Sequence, residues 1–238
     1  MIQTTVLLPT YNEEAAIGNV IDEIQALLVP CKILVIDNNS KDKTKEIALS
    51  KGADVVSETK QGKGYAVSSG IRYIDTSYTI MMDSDGTYPA SYIPMMLGYL
   101  AGGWDIVVGV RRRTEFGAIS KMNTLGNITL TRMAEVLYTR KIGDLCTGMW
   151  GWKTEKLKRA NIISKGFTLE AELFVHACKD GCVVARIDID YRARPDKSQS
   201  KLRLSDGAKI GYFLVRERLR LPTDAWRKAV FNDKEEIT

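Results

Sequence analysis

The chain has 238 residues, of which 45% are hydrophobic and 26% charged, with a net charge of +5. These proportions belong to a folded globular domain and exclude disordered, collagen-like and coiled-coil architectures. No apolar run reaches the ~18 residues a membrane-spanning helix needs, and Met1–Thr5 lacks the basic and apolar regions of a secretory leader, so the sequence predicts a cytoplasmic protein.

Thr4–Leu8 is an apolar, β-branched run that ends at Pro9 and reads as a strand. Glu13–Leu28 carries apolar residues at helical spacing (Ile17, Val20, Ile21, Ile24, Leu27, Leu28) behind an acidic first turn suited to the helix dipole. Lys32–Asp37 is a near-continuous apolar run, as in a strand buried on both faces. Ser40 or Asp42 can cap a helix over Lys43–Lys51. A short strand at Asp54–Ser57 follows, then a helix over Gly64–Tyr73 and a strand over Tyr78–Met82. After the polar turn Asp83–Pro89 come a helix over Ala90–Leu100 and a strand over Asp105–Gly109. The rhythm then changes: a long helix (Ile119–Tyr138), a strand (Gly148–Lys153), a helix (Leu169–Asp180), a strand (Val183–Tyr191), a polar loop (Arg194–Ser200) and a basic amphipathic helix (Leu204–Leu219). Strands separated by helices imply right-handed βαβ units, hence an α/β fold with a mostly parallel central sheet flanked by helices. One domain over residues 1–220, with a tail at 221–238, accounts for the pattern.

Charge is unevenly spread. Residues 1–110 hold 8 basic and 13 acidic side chains, a net −5; residues 111–238 hold 26 and 16, a net +10. The second half is therefore suited to an anionic partner. Four cysteines (Cys31, Cys146, Cys178, Cys182) are too few for a disulfide scaffold at this length. Cys178 and Cys182 read as two semi-buried thiols on one helix, and His176, the single histidine, adds at most one ligand to any zinc site.

In a doubly wound sheet, ligands bind beyond the carboxyl ends of the strands. Four segments fall there: Pro9-Thr10-Tyr11-Asn12-Glu13-Glu14, Asp37-Asn38-Asn39-Ser40, Gly62-Lys63-Gly64 and Asp83-Ser84-Asp85-Gly86-Thr87. An aromatic ring, carboxylates and a glycine-flanked lysine suit a nucleotide's base, ribose and phosphates. Carboxylates two positions apart at a strand end suit a hard divalent cation bridging a diphosphate. Neither the phosphate-binding Walker loop nor the dinucleotide Gly-x-Gly-x-x-Gly is present.

Together and in this order, the motifs resemble the family-2 glycosyltransferases of GT-A fold, and among them the dolichol-phosphate mannosyltransferase and polyprenyl-phosphate sugar transferase branch. The likeness runs from about Thr4 to about Leu202. It implies that Pro9, Tyr11, Glu13, Asp37 and Lys63 bind the nucleotide sugar in a donor half (1–110). It implies that Asp83 and Asp85, with Thr87, hold Mg²⁺ or Mn²⁺ and the donor diphosphate. In the acceptor-side half (111–220), Val107-Val108-Gly109-Val110-Arg111 resembles the family's strand ending in Gly-x-Arg, and Tyr191–Arg194 with Ser200-Lys201-Leu202 resembles its aromatic-x-x-Arg and Ser-Lys-Leu elements. Asp85, Arg111, Arg194 and Lys201 are then the catalytic residues, and Lys121 and Thr124 face the acceptor phosphate.

The implied reaction moves a hexose from GDP-mannose, UDP-glucose or UDP-N-acetylglucosamine to a polyprenyl or dolichyl phosphate, with inversion, for protein glycosylation or cell-surface glycans. A hydroxyl acceptor needs a general base, whereas a phosphate monoester, with a second pKa near ~6, is already an anionic nucleophile. The sequence departs from the branch at Thr87, where Gln is common, at Trp150, where Arg is usual in Asp144-Leu145-Cys146-Thr147-Gly148-Met149-Trp150, and in a loop Arg194–Lys201 one residue longer. A lipid acceptor places the enzyme on the cytoplasmic face of a membrane. The basic helix, with Trp226 beyond it, either lies on that surface or packs on the protein's own core, and a membrane-anchoring partner subunit is a further route. Met149, Trp150 and Trp152 either line a lipid-side groove or belong to the core. Nucleic-acid motifs are absent. The alternative activity is transfer to a polysaccharide or protein hydroxyl, with Glu170 or Glu172 as base.

Overall fold

The computed structural model describes residues 3–166, 168–195 and 204–220. Alternation along the strands decides its layers. In β1 (Thr4–Thr10), Val6 and Leu8 point to one face and Leu7 to the other, and all three are fully buried. A strand buried on both faces needs helices on both sides. On the first face, α1 (Ile17–Gln25), α2 (Thr44–Ser50) and α4 (Ile93–Ala101) cover Val6, Leu8, Val35 and Ile80. On the second, α3 (Lys63–Ile71), α5 (Lys121–Tyr138), α6 (Thr154–Arg159), α7 (Leu169–Lys179) and α8 (Leu204–Arg220) cover Leu7, Ile36, Met81 and Val108.

The remaining strands are β2 (Cys31–Asp37), β3 (Asp54–Ser57), β4 (Tyr78–Met81), β5 (Ile106–Thr114), β6 (Trp150–Lys153) and β7 (Val184–Tyr191). They form a seven-stranded sheet in the order β3-β2-β1-β4-β6-β5-β7. β6 is antiparallel to both neighbours and the other described strands run parallel. The carboxyl ends of β1, β2, β4, β5 and β7 therefore share one edge, and β6 brings its amino end to that edge. The turn preceding β6 thus meets the turn following β4.

Some expected boundaries move. α1 begins at Ile17, with no acidic residue in its first turn, because Glu13 and Glu14 lie in the preceding turn. The Ala90–Leu100 helix divides into a 3-10 turn (Ala90–Tyr92) and α4, with Pro94 in the first turn of α4. β5 continues five residues past Gly109, paired with β7. α6 was not anticipated; it is a six-residue helix with only Thr154 and Leu157 buried, too short for a periodic signal. Cys182 lies beyond the end of α7, and it and Cys178 are buried and unbridged.

α8 spends its apolar face on the core. Ile210, Phe213 and Leu214 are buried against α5 and α7, and Tyr138 Oη donates to the Leu214 carbonyl at 3.0 Å. That face is not available to a membrane. Lys201, Trp226 and the 221–238 tail lie outside the described residues. Among the described residues, no helix is long and apolar enough to cross a membrane.

Candidate functional site

Two loops meet at the ends of β1 and β2. Asn12, at φ 52°, accepts from Lys41 N through Oδ1 (2.8 Å), and its own N–H donates to Ser40 Oγ (3.0 Å). Glu13 N donates to Thr44 Oγ1 (2.8 Å), Glu14 N to Asp42 Oδ2 (3.2 Å), and Lys43 N to Glu14 Oε2 (3.0 Å). Asp42, not Ser40, accepts from Thr44 N at the start of α2 (3.1 Å). Buried Asn38 donates to the Glu58 and Lys60 carbonyls (3.1 and 2.7 Å) and accepts from Gly62 N (2.6 Å). It thereby fixes the approach to Lys63. Asp37 is buried as the last residue of β2 and accepts from Ser40 N (3.3 Å). Pro9 and Tyr11 are half-buried at the end of β1. A cavity of about 220 Å³ opens among Asn12–Ala16, Asp42, Asp85 and Pro195.

The turn after β4 carries the charge. Asp85 is buried; its Oδ1 accepts from Thr87 N (3.1 Å) and Thr87 Oγ1 (2.6 Å), and its Oδ2 meets Arg194 Nη2 at 2.6 Å. Arg194 also lies 3.7 Å from Glu13 Oε1. Asp83 Oδ1 meets Lys63 Nζ at 2.6 Å, and Lys63 reaches Glu170 Oε1 at 2.6 Å as well. Burial first, then the neighbouring Asp83, push the Asp85 carboxyl above the usual carboxylate range, against the pull of Arg194 and Thr87. Burial opposes the charge of Lys63, but Asp83 and Glu170 overcome it and raise its ammonium above the ordinary lysine value.

Glycine makes two close approaches possible. A Cβ at Gly148 would stand 2.1 Å from Asp83 Oδ2, so only glycine lets the turn before β6 pass that carboxylate. Gly148 N donates there to Tyr88 Oη (2.6 Å). A Cβ at Gly64 would stand 1.8 Å from the Ser164 carbonyl. The glycines beside Lys63 thus admit the 164–165 backbone, which Glu172 holds by accepting from Ile163 N and Ser164 N (both 2.9 Å). Glu172 is committed to that bracing. Glu170 is the one of the two candidate bases that reaches the site.

Arg111 is held by Asp144 through a two-pronged pair (2.7 and 2.8 Å), with Asp144 also accepting from Asn127 Nδ2 at 2.8 Å. Its guanidinium lies 5.1 Å from the centre of the Tyr191 ring, which packs edge-on against Tyr88. Arg192 N donates to the Thr87 carbonyl (2.8 Å), fastening the Arg194 segment to the Asp85 turn. The sequence reading gave no role to Asn38, Asn127 or the Asp144–Arg111 pair, although Asn38 and Asp144 stood in quoted motifs. Lys121 and Thr124 are exposed on the first turn of α5, and Thr124 Oγ1 donates to the Ser120 carbonyl. Met149, Trp150 and Trp152 are buried; Trp150 stacks on Trp152 at 5.9 Å and donates to the Thr147 carbonyl. They belong to the core and neither replace a site cation nor line a lipid groove.

The donor chemistry of this turn suits a hard cation. Asp83 and Asp85 offer only oxygen, and two cationic side chains already neutralise them. Among the described residues no cluster of three acidic, His or Cys ligands exists. Mg²⁺ is commonly bound by one or two carboxylates that leave its other positions to water and substrate phosphates, and this pair fits that pattern.

Comparison with known proteins adds an independent line. The family model described as glycosyl transferase family 2 matches residues 5–160. A Haloferax volcanii protein named dolichyl-phosphate hexose transferase is 34% identical over 220 residues, covering 91% of this chain and 96% of its own length. Glycosyltransferase AglJ of the same organism is 34% identical over 83% of this chain, which spans 65% of AglJ. Among solved structures, glucosyl-3-phosphoglycerate synthase from Mycobacterium tuberculosis, in complex with Mn²⁺ and UDP-glucose, superposes with a TM-score of 0.71 at 22% identity, over 92% of this chain and 80% of that one. That likeness establishes the GT-A fold.

Proposed function

The chain belongs to glycosyl transferase family 2, and on that footing we propose that it moves a hexose from a nucleoside-diphosphate sugar to a polyprenyl or dolichyl phosphate, with inversion at the anomeric carbon. The name of the Haloferax relative supports a lipid-phosphate acceptor. The observation that carries the reading is the pairing of the acids around Asp85: Glu13 is paired with Arg194, Glu170 with Lys63 and Asp144 with Arg111. Each of these acids is already bonded to a cation, so none of the three stands free to take a proton from a hydroxyl. A phosphate needs no such base at neutral pH.

In this reading Pro9, Tyr11, Glu13 and Asp37 receive the nucleoside, and Lys63 and Asp83 stand at the donor diphosphate. Asp83 and Asp85, with Thr87 bonded to Asp85, would hold Mg²⁺ or Mn²⁺, which would supply Lewis-acid stabilisation of the departing diphosphate. Arg111 and Arg194 hold the acceptor phosphate against its repulsion from the donor, with Lys121 and Thr124 on its approach. Lys201 joins them by family resemblance. Charge fixed in advance at the reacting atoms is usually the largest catalytic contribution. The enzyme then works on the cytoplasmic face of a membrane.

The test offers labelled GDP-mannose, UDP-glucose and UDP-N-acetylglucosamine, each with Mg²⁺ or Mn²⁺, with and without a short dolichyl phosphate in detergent. Label entering the organic phase from one donor is expected, and identifies the sugar. Donor turnover with no lipid labelling, but labelling of a glycan or peptide hydroxyl, would overturn the acceptor and bring Glu170 forward as base.

A further inference from the structure

The first half of α5 and the loop before it leave a row of large apolar side chains outside the core. Phe116 is fully exposed, and Met122, Leu125 and Ile128 are 59%, 67% and 52% exposed. Met122, Leu125 and Ile128 recur every three residues, so they share one side of the helix. The opposite side is occupied: Leu130, Ala134 and Tyr138 enter the core and Asn127 bonds Asp144. Monomeric soluble proteins seldom leave contiguous apolar side chains uncovered without a use for them.

Charge identifies the cover. Between Glu115 and Glu135 the sequence has no carboxylate, but it has Lys121 and Arg132, both exposed. The charged side chains within 116–134 are all cations, and Glu115, beside Phe116, accepts from Ala193 N; such a row is complementary to a lipid surface, with apolar side chains entering the acyl boundary and cations at anionic headgroups. The row also adjoins the site. Glu115, next to Phe116, accepts from Ala193 N (2.8 Å), one residue from Arg194, and donates its own N–H to the Tyr191 carbonyl (2.9 Å).

We propose that this face of α5, and not α8, docks the enzyme on an anionic bilayer and turns the Arg111–Arg194 side of the site toward the lipid acceptor. The inference rests on the polyprenyl-phosphate reading for its purpose, but its test needs neither donor nor acceptor. Full-length protein is floated with vesicles of phosphatidylcholine and phosphatidylglycerol (70:30) and with phosphatidylcholine alone. Binding to the anionic vesicles is expected, weakening as salt screens it. Leu125→Glu and Ile128→Glu, at exposed positions, are expected to lower the partition about tenfold each, with an unchanged circular dichroism spectrum and unchanged transfer to a short-chain acceptor in detergent. Leu219→Glu, on the exposed side of α8, is expected to leave the partition unchanged. No vesicle binding, or binding that Leu125→Glu leaves intact, overturns the proposal. So does a self-associated wild type that Leu125→Glu renders monomeric without any vesicle binding, which would assign the face to a second copy. Loss of transfer to the detergent-solubilised acceptor in the wild type would instead overturn the acceptor reading.

Discussion

The two rims of the site are held by different forces. Around the ends of β1 and β2, side chains bond to backbone: Asn12 to Lys41, Asp42 to Glu14 and Thr44, Asn38 to Glu58, Lys60 and Gly62. Around the turn after β4, cations bond to carboxylates: Lys63 to Asp83 and Glu170, Arg194 to Asp85, Arg111 to Asp144. Bonds of the first kind fix a shape before any ligand arrives. Bonds of the second kind hold charges at a shielded edge and can be exchanged for the charges of a ligand, at low reorganisation cost. In the proposed reading the first rim serves recognition and the second chemistry, and substitutions in the two should separate binding from turnover.

The largest effect is expected where exchange is essential. Asp85→Ala should lower transfer about 10³-fold, with a folded circular dichroism spectrum and with donor affinity that no longer responds to added Mg²⁺ or Mn²⁺. Undiminished transfer would remove Asp85 from the chemistry. Gly148→Ala comes next. The added methyl must displace Asp83, and a misplacement near 1 Å can cost about 10² in rate; single-turnover transfer measures it. Arg194→Ala should lower kcat about tenfold, the loss of one partly exposed cation aimed at developing charge, while nucleotide affinity by calorimetry stays within about threefold. Equal losses in both would move Arg194 to the recognition rim.

The recognition rim predicts a stability effect instead. Asn38→Ala removes the side-chain partner of the Glu58 and Lys60 carbonyls and of the Gly62 amide, and a part-buried hydrogen bond is worth a net of about 0.5–1.5 kcal/mol. The urea midpoint should fall accordingly, and the donor KM should rise because Gly62 and Lys63 lose their anchor. A KM that does not move would separate Asn38 from recognition.

This division also explains what could be read from the chain. β1, β2 and β4 were legible because apolar runs buried on both faces leave a continuous signal, and the mostly parallel sheet followed from their alternation with helices. The edge location of Asp37, Asp83 and Asp85 followed from that topology. Pairs such as Arg111–Asp144 and Lys63–Glu170 join residues 33 and 107 positions apart, and no local pattern encodes them. The first depends on the antiparallel insertion of β6, which brings the 144–148 turn to the strand ends, and the second on α7, which carries Glu170. Gly62 and Gly64 were legible as a special backbone, but the 164–165 segment that needs them is a tertiary contact. α8 shows the converse: its basic amphipathic pattern fits a membrane face and a core-packed helix equally, and only Leu130, Tyr138 and Phe174 opposite it decide for the core.

The smallest effect tests the beam behind the ion-pair rim. α7 carries Glu170 to Lys63 and Glu172 to the 163–164 amides, and it also carries His176, the single histidine. Burial, against the pull of Glu172, Asp180 and a bond with the Asn161 backbone and aided by Lys179, holds the His176 pKa below the ordinary 6.5. The folded protein therefore binds this proton less readily than the unfolded chain, whose histidine titrates near ~6.5. The sign follows from linkage: stability is full above pH 6.5 and declines as pH falls from there toward the folded-state value. Most carboxylates remain ionised at the start of that window, so the decline should belong to one side chain. His176→Gln should flatten the urea midpoint between pH 7.5 and 6, and a wild-type midpoint that is already flat would mean that α7 braces the site with its histidine open to water.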